Sequence, residues 1–365
     1  MYTNENYIPP RARKGRGAIS NPDGRFESHT HHAISDGWEQ AGGEPEQTRA
    51  PCTTLTPDKA KSVISRNDSP DVGFRLSINP YRGCEHGCVY CFARPTHAYL
   101  GLSPGLDFET KLFYKAHAAT LLEKELRRPS YRCSPIALGI NTDAYQPAER
   151  RLKITRGILK VLHDFNHPVT IVTKSALVRR DLDLLVPMAQ KNLAQVFFSI
   201  TTLDSNLSRC LEPRTTAPRG RLQAMRTLSA AGVPVGVMTA PIIPVLTDPE
   251  LESILVASRE AGAESAGYVM LRLPHEVKAL FREWLSHHAP LKAHHVMSVV
   301  QALRGGKDYD ATFGERMRGT GLFAELVARR FSLACKRLGL NRHQRELDIS
   351  AFAPVVHSGA QLTLF

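Results

Sequence analysis

The chain has 365 residues, of which 42% are hydrophobic and 22% charged, so it is too apolar to be mainly disordered. Its length allows one large α/β domain with extensions, or two ordinary domains. No stretch approaches the roughly 18–20 uninterrupted apolar residues of a membrane helix, which predicts a protein that does not engage a membrane. The net charge of +12 is compatible with a polyanionic partner such as nucleic acid, and equally with simple solubility.

The N-terminal run MYTNENYIPPRARKGRG is basic, but no apolar core follows it. It therefore predicts no secretory signal, and the expected compartment is the cytoplasm. Residues 1–66 are rich in polar residues, proline and glycine, which predicts an irregular N-terminal extension. His29, His31 and His32 could bind a metal ion, although a solvated histidine run is the more ordinary interpretation.

From about residue 73, short apolar runs alternate with helical patterns such as 116–128 and 151–165. Six strand-then-helix units predict a parallel sheet with helices outside it, curled into a partial (β/α)6 barrel of the α/β class. The barrel core is expected over residues 67–290. Its predicted strands cover 74–78, 135–140, 168–175, 194–204, 234–244 and 266–274.

A mainly helical C-terminal extension is expected over residues 291–365. Its glycine-rich, charged segment 304–321 precedes a basic helix predicted at 322–339. The basic residues of this region could meet phosphates or form a solvated basic face, and the sequence leaves both interpretations open. They are Arg316, Arg318, Arg329, Arg330, Lys336 and Arg337.

The chain has seven cysteines, and three of them fall within eight positions of YRGCEHGCVYCF (81–92): Cys84, Cys88 and Cys91. The other four are scattered, so a cytosolic metal or redox site is favoured over a disulfide framework. A closed zinc site would need a fourth ligand, which His86 or His97 could supply. Three thiolates in a loop after an apolar strand suit a four-iron cluster better, with one iron open to an exogenous ligand.

The spacing Cys84-x₃-Cys88-x-Tyr90-Cys91 after the first strand of such a series resembles the radical S-adenosylmethionine (radical SAM) superfamily. The resemblance implies a [4Fe–4S] cluster bound by the three cysteines and S-adenosylmethionine bound at the open iron. Electron transfer, from a donor such as flavodoxin or ferredoxin, would then cleave S-adenosylmethionine to a 5′-deoxyadenosyl radical.

Within the superfamily, the stretches NTDAYQPAE (141–149), TKS (173–175), SITTLD (199–204) and LEPR (211–214) are similar to the spore photoproduct lyase branch of DNA repair enzymes. The ordinary interpretation of such residues is a strand-end cap or turn. The resemblance implies these cofactor contacts: Tyr90 at the adenine; Asn141, Thr142 and Asp143 at the methionine amino group; Lys174 and Ser199 at the carboxylate or ribose; Glu212 and Arg214 as polar anchors.

Two positions depart from the lyase pattern. Phe92 stands where the lyase has a tyrosine, and Asn141 stands where it has a cysteine that donates hydrogen. Cys133 lies upstream and is expected before the strand, so we do not expect it to substitute. The resemblance therefore implies that this chain generates the radical, but not that it performs the specific reaction of the lyase.

The sequence ends in QLTLF, Gln361–Phe365. This resembles the pentapeptide with which bacterial DNA replication and repair proteins bind the polymerase sliding clamp, and a terminal strand packed on the body is the alternative. The sequence thus predicts a radical SAM enzyme acting on DNA or another nucleic acid. The alternatives are the same chemistry on a peptide or small molecule, or a non-catalytic, zinc-stabilised DNA-binding module.

Overall fold

The structure is a computed structural model that describes residues 11–29, 52–342 and 345–353. Within these ranges the strands are β1 Thr54–Pro57, β2 Ile64–Arg66, β3 Leu76–Ile78, β4 Tyr81–Arg82, β5 Lys111–Tyr114, β6 Ile136–Leu138, β7 Val169–Thr173, β8 Ala194–Ser199, β9 Val235–Ile242 and β10 Ser265–Met270. The α-helices are α1 Leu106–Thr110, α2 Ala118–Leu126, α3 Glu149–Leu152, α4 Ile154–Asp164, α5 Leu182–Gln190, α6 Ser205–Leu211, α7 Pro218–Ala230, α8 Leu251–Glu260, α9 Val277–His288, α10 Pro290–Ala302 and α11 Leu322–Leu338. Short 3₁₀ helices cover Arg94–Leu100, Ala176–Asp181 and Asp248–Glu250.

The main sheet has seven strands in the order β10-β9-β8-β7-β6-β3-β2. Strands β3 and β6 to β10 are parallel and follow each other in chain order, and β2 is antiparallel at the edge. The expected α/β class, with six parallel strand–helix units and a helical C-terminal part, is confirmed. None of the helices in the described part of the chain is both long and apolar enough to cross a membrane.

One face of the sheet packs against the helices, and the side chains on the other face are only partly buried. Val169, Ile171, Val196 and Phe198 are fully buried in the core between the sheet and the helices. Their neighbours along β7 and β8, such as Phe197, are partly exposed. Since successive strand residues point to opposite faces, the face of the sheet away from the helices is less buried than the face under them.

Two short strands lie within the segment 1–66 that was expected to be irregular. Strand β1 pairs in parallel with β5, and β5 pairs with β4 in a second, three-stranded sheet beside the cysteine loop. Strand β2 joins the edge of the main sheet. Their period-2 pattern is too short to be recognised, because β1 and β2 have only four and three residues and mostly exposed side chains.

C-terminal residues form hydrogen bonds with the main sheet, or with the residues just before its strands, at two places. The Asp348 and Ala353 amides donate to the carbonyls of Asn192 (2.9 Å) and Phe165 (3.1 Å), which precede β8 and β7. At the side, the Met317 carbonyl accepts from Met270 of β10, 2.9 Å away. Residues 314–316 also bind Asp71, which follows β2. The segment around Met317 therefore links the two edges of the sheet.

Candidate functional site

The cysteine loop follows β3 and β4, and β3 lies at one end of the row of six parallel strands, which all end on the same side of the main sheet. Cys84 and Cys88 are buried and Cys91 is partly exposed. The loop is closed by tight turns, in which the Gly87 amide donates to the Cys84 carbonyl (3.3 Å) and the Cys91 amide to the Cys88 carbonyl (3.2 Å). Gly87 has a φ of 66°, which its lack of a side chain permits, and a Cβ there would lie 2.7 Å from the Glu109 carboxylate.

A fully buried arginine holds the back of the loop. The Arg94 Nε donates to the Cys88 carbonyl at 2.9 Å, and one terminal nitrogen donates to the Gly87 carbonyl at 3.1 Å. The other terminal nitrogen donates to the carbonyls of Pro104 and Gly105, and an ion pair with buried Glu109 completes the set. All five guanidinium donors therefore have acceptors, which is what a buried arginine requires.

The donor set suits an iron–sulfur cluster. Burial raises the pKa of the Cys84 thiol, and negative charge on Asp143, Cys88 and Cys91 raises it further, so the three sulfurs lie within electrostatic range of each other. In the described residues, no three His, Cys, Asp or Glu side chains converge closely enough to hold a single metal ion. Cysteines that bind a cluster each hold a different iron, and they lie further apart than ligands of one zinc ion.

Tyr90 of the cysteine loop meets Lys174, which follows β7, and Glu212, which follows α6. The Tyr90 hydroxyl donates to the Glu212 carboxylate and lies 3.2 Å from the Thr201 hydroxyl. The Lys174 ammonium lies 3.0 Å from the same carboxylate and 5.7 Å from the centre of the Tyr90 ring. The structure thus brings together Tyr90, Lys174 and Glu212, which the sequence placed on three separate segments.

Glu212 is the electrostatic centre of this group. Burial raises the pKa of its carboxyl, but the charges of Arg221 and Lys174 outweigh burial and hold that pKa well below its usual range. Arg221 also donates to the Ser199 carbonyl at 2.7 Å and to the Thr216 carbonyl at 2.7 Å. Arg221 therefore ties the end of β8 to the carboxylate that Tyr90 and Lys174 share.

The three residues after β6 differ in their surroundings. The Asp143 carboxylate accepts from the Tyr145 amide (2.8 Å), the Thr173 hydroxyl (2.8 Å) and the Lys174 amide (2.7 Å). Asp143 therefore positions the end of β7. The Thr142 hydroxyl donates to the Tyr81 carbonyl at 2.9 Å, whereas Asn141 is exposed. Of the three, Asn141 has the most accessible side chain.

The remaining predicted site residues lie nearby. Ser199 ends β8 and is buried. Arg214 forms an ion pair with Glu85 in the cysteine loop at 3.2 Å. Phe92 is 39% exposed at the mouth of the loop. Cys133 precedes β6 and so lies at the strand end opposite Asn141, as its position in the sequence predicted.

Two residues of this group, Thr201 and Arg221, were not predicted from the sequence. Thr201 lies in the stretch SITTLD, and its position at the end of a predicted strand could have identified it as a candidate site residue. Arg221 lies within α7, where a helical arginine normally indicates a solvated face. Only the fold shows that this side chain is buried.

Residues 78–256 match the Radical SAM superfamily. A protein of the archaeon Methanocaldococcus jannaschii is 32% identical over 193 residues, which are 53% of this chain and 69% of that relative. The chain belongs to the radical SAM superfamily. This confirms the resemblance that the cysteine spacing indicated.

This radical SAM protein also has a relative in Mycobacterium tuberculosis that is 42% identical over 219 residues, 60% of this chain. The match spans 64% of that relative's length. Both relatives are described as uncharacterized proteins.

Solved structures of spore photoproduct lyase share the fold. A point mutant has a TM-score of 0.58 at 16% identity, covering 84% of this chain and 88% of the lyase. The lyase complexed with dinucleoside spore photoproduct has a TM-score of 0.56 at 15% identity, covering 78% and 80%. At these identities the likeness concerns the fold alone.

We expect Arg221→Met to lower the free energy of unfolding by about 3–5 kcal/mol, because it leaves the buried Glu212 carboxylate without its main partner. Urea unfolding measures the effect. Arg282→Met, which removes an ion pair from a half-exposed arginine, is the matched control and should cost less than about 1 kcal/mol. Equal losses in the two variants would show that Glu212 does not depend on Arg221.

Proposed function

We propose that this chain is a radical SAM enzyme that acts on nucleic acid in repair or modification. The observation that carries the proposal is the cysteine loop, held by Arg94 at the carboxyl ends of six parallel strands and facing Tyr90, Lys174 and Glu212. Enzymes built on parallel α/β sheets place their sites at this end. A bound [4Fe–4S] cluster would supply the electron that cleaves S-adenosylmethionine to a 5′-deoxyadenosyl radical.

Different residues would bind the cluster and S-adenosylmethionine. Cys84, Cys88 and Cys91 would hold the cluster, and the Tyr90 ring would pack on the adenine. Lys174 is positioned for an anionic group, because among the described residues its ammonium pairs with one carboxylate, that of Glu212, and its other acceptors are the neutral Thr201 hydroxyl and Ala240 carbonyl. Ser199 would assist it at the carboxylate or ribose.

The methionine amino group is assigned to the segment Asn141–Asp143. Asn141 would contact it directly, since the Thr142 hydroxyl already donates to a backbone carbonyl and the Asp143 carboxylate already accepts three hydrogen bonds. Glu212 and Arg214 would act as anchors, Glu212 by orienting Tyr90 and Lys174 and Arg214 by holding Glu85.

A nucleic-acid substrate is favoured by three features. The net charge is +12, structures with this fold include a lyase complexed with a dinucleoside photoproduct, and part of the C-terminal basic region is accessible. In that region Arg329, Lys336 and Arg337 are exposed on α11. By contrast, Arg330 is paired with Glu252 and Arg316 with Asp71, so these two are less available to phosphates than the sequence suggested.

The reaction differs from that of the lyase. Phe92 has no phenolic hydrogen to give, and Asn141 has no thiol. Cys133, at the opposite strand end, cannot replace it. We therefore propose the radical-generating chemistry with a different hydrogen donor.

A reducing compartment fits the protein. All seven cysteines lie in the described residues, and none forms a disulfide. We place the protein in the cytoplasm, where a flavodoxin or ferredoxin would supply the electron.

Anaerobic reconstitution with iron and sulfide tests the proposal. We expect about four irons per chain and reductive cleavage of S-adenosylmethionine to 5′-deoxyadenosine with dithionite, measured by chromatography. The triple variant Cys84→Ala/Cys88→Ala/Cys91→Ala should lose both, whereas Cys133→Ala and Cys335→Ala should keep both. A colourless protein that retains zinc would refute the proposal in favour of a zinc-stabilised DNA-binding module.

The terminal segment Gln361–Phe365 lies outside the described residues. We propose that it binds the bacterial polymerase sliding clamp, with Leu362, Leu364 and Phe365 as apolar anchors. Each buried anchor contributes about 1.5–3 kcal/mol before ordering costs, enough for binding on the order of micromolar. A pull-down with the clamp should capture the full chain and lose the chain truncated after Ala360. Equal capture of both would contradict the assignment.

A further inference from the structure

A second arginine, Arg272, lies beside the exposed end of the cysteine loop. Arg272 follows β10 by two residues, at the same end of the sheet as the three cysteines. Its guanidinium carbon lies 5.2 Å from the centre of the Phe92 ring, and Phe92 directly follows Cys91. Arg272 is partly exposed and Phe92 is 39% exposed, so the pair faces solvent beside the proposed radical site.

Within the part of the chain that the structure describes, the Arg272 guanidinium has no anionic partner. Among the described residues no carboxylate lies within ion-pair distance of it, and one terminal nitrogen donates only to the Met317 sulfur at 3.4 Å. Its Nε is buried and has no hydrogen-bond acceptor. A thioether is a weak acceptor, and a partly buried cation without a counter-ion is costly. This arrangement is typical of a side chain whose partner is a ligand.

The surroundings of Arg272 add positive charge. Burial lowers the pKa of Arg304, and the charge of Arg272 lowers it further, which shows that the two guanidiniums are close. Arg304 donates only to backbone carbonyls, those of Glu315 (2.8 Å) and Leu271 (3.0 Å). Asp71 lies within electrostatic range of Arg272, but Arg316 and the Gly314 amide occupy its carboxylate. Asp310 and Glu315 offset part of the positive charge near Arg304, and none of these three acids forms an ion pair with Arg272 in the described residues.

Two of these arginines, Arg272 and Arg316, each lie against an exposed phenylalanine. Phe313 is 57% exposed, and the Arg316 guanidinium lies 4.4 Å from the centre of its ring. Met317, which contacts Arg272, is the residue after Arg316. The Arg316–Phe313 pair lies on the segment that links the edges of the sheet, and Met317 of this segment contacts Arg272 of the Arg272–Phe92 pair. Alternating basic and aromatic side chains suit a strand that presents a phosphate and an unstacked base in turn.

We propose that Arg272 and Phe92 form a nucleotide subsite, in which Arg272 binds a phosphodiester and the exposed edge of Phe92 contacts the adjoining unstacked base. The subsite rests on the proposed function, since it lies at the rim of the cysteine loop and would present a base to that site. A guanidinium matches a phosphodiester through two parallel hydrogen bonds, which a lysine ammonium does not. The ligand class is single-stranded or locally opened nucleic acid, because a base within a duplex cannot reach the ring.

Fluorescence anisotropy with a labelled single-stranded oligonucleotide tests the subsite, using the full reconstituted chain at several salt concentrations. Arg272→Gln should weaken binding about tenfold and reduce the slope of log K against log salt by about 0.7, the contribution of one phosphate on a single strand. Arg282→Gln, which removes a half-exposed arginine paired with Asp308, is the matched control and should change neither. Arg272→Lys should restore the salt slope but only part of the affinity.

The outcomes separate the subsite from the proposed function. If the chain binds the oligonucleotide and Arg272→Gln binds as Arg282→Gln does, the subsite is wrong and the nucleic-acid function stands. If the chain shows no salt-dependent binding to the oligonucleotide, both are wrong, and an acidic peptide whose binding depends on Arg272 would identify the other substrate class. Circular dichroism shows whether Arg272→Gln is folded. If it is not, the affinity of Phe92→Ala for the oligonucleotide is measured instead, and an unchanged affinity would overturn the subsite.

Discussion

A single buried arginine, Arg94, holds the tight turns of the loop whose three cysteines are proposed to bind the cluster. The side chain has no exposed surface, and it binds the carbonyls of Cys88, the second ligand of the proposed cluster, and of Gly87, the residue before it. Its counter-ion Glu109 also accepts from the Gly17 and Ala18 amides at 3.0 and 2.8 Å. A Cβ at Gly17 would lie 1.8 Å from the Gly87 carbonyl. The cysteine loop is thus held between a buried guanidinium and the N-terminal chain.

In front of the loop, one carboxylate organises the polar side chains. The Glu212 carboxylate forms ion pairs with Arg221 and Lys174, and it accepts a hydrogen bond that orients the Tyr90 hydroxyl. Asp143 performs the corresponding task for the end of β7, by binding the Lys174 amide and the Thr173 hydroxyl. Asp143 therefore positions the backbone of Lys174, and Glu212 positions its ammonium. Such support from surrounding groups is what holds a binding side chain in one geometry.

The sequence predicted the parts of the protein that follow from periodicity and spacing. Six apolar strands alternating with helices, and three cysteines at a characteristic spacing, are local patterns, and both are present as expected. The supporting residues could not be predicted in the same way. Arg94, Glu109 and Arg221 are charged, so their sequence context indicates exposure, and only long-range packing shows that they are buried in pairs. The partners of Arg316 and Arg330 lie 245 and 78 residues away, which no local pattern reveals.

The central claim is that the cysteine loop holds a cluster with one iron open to S-adenosylmethionine. Electron paramagnetic resonance of the reconstituted, dithionite-reduced protein tests it most directly, because a ligand on the open iron changes the spectrum of the cluster itself. The account predicts a reduced [4Fe–4S] signal that shifts when S-adenosylmethionine is added, and no such signal in the triple cysteine variant. A cluster signal that S-adenosylmethionine leaves unchanged, or a signal that survives in the triple variant, would contradict it.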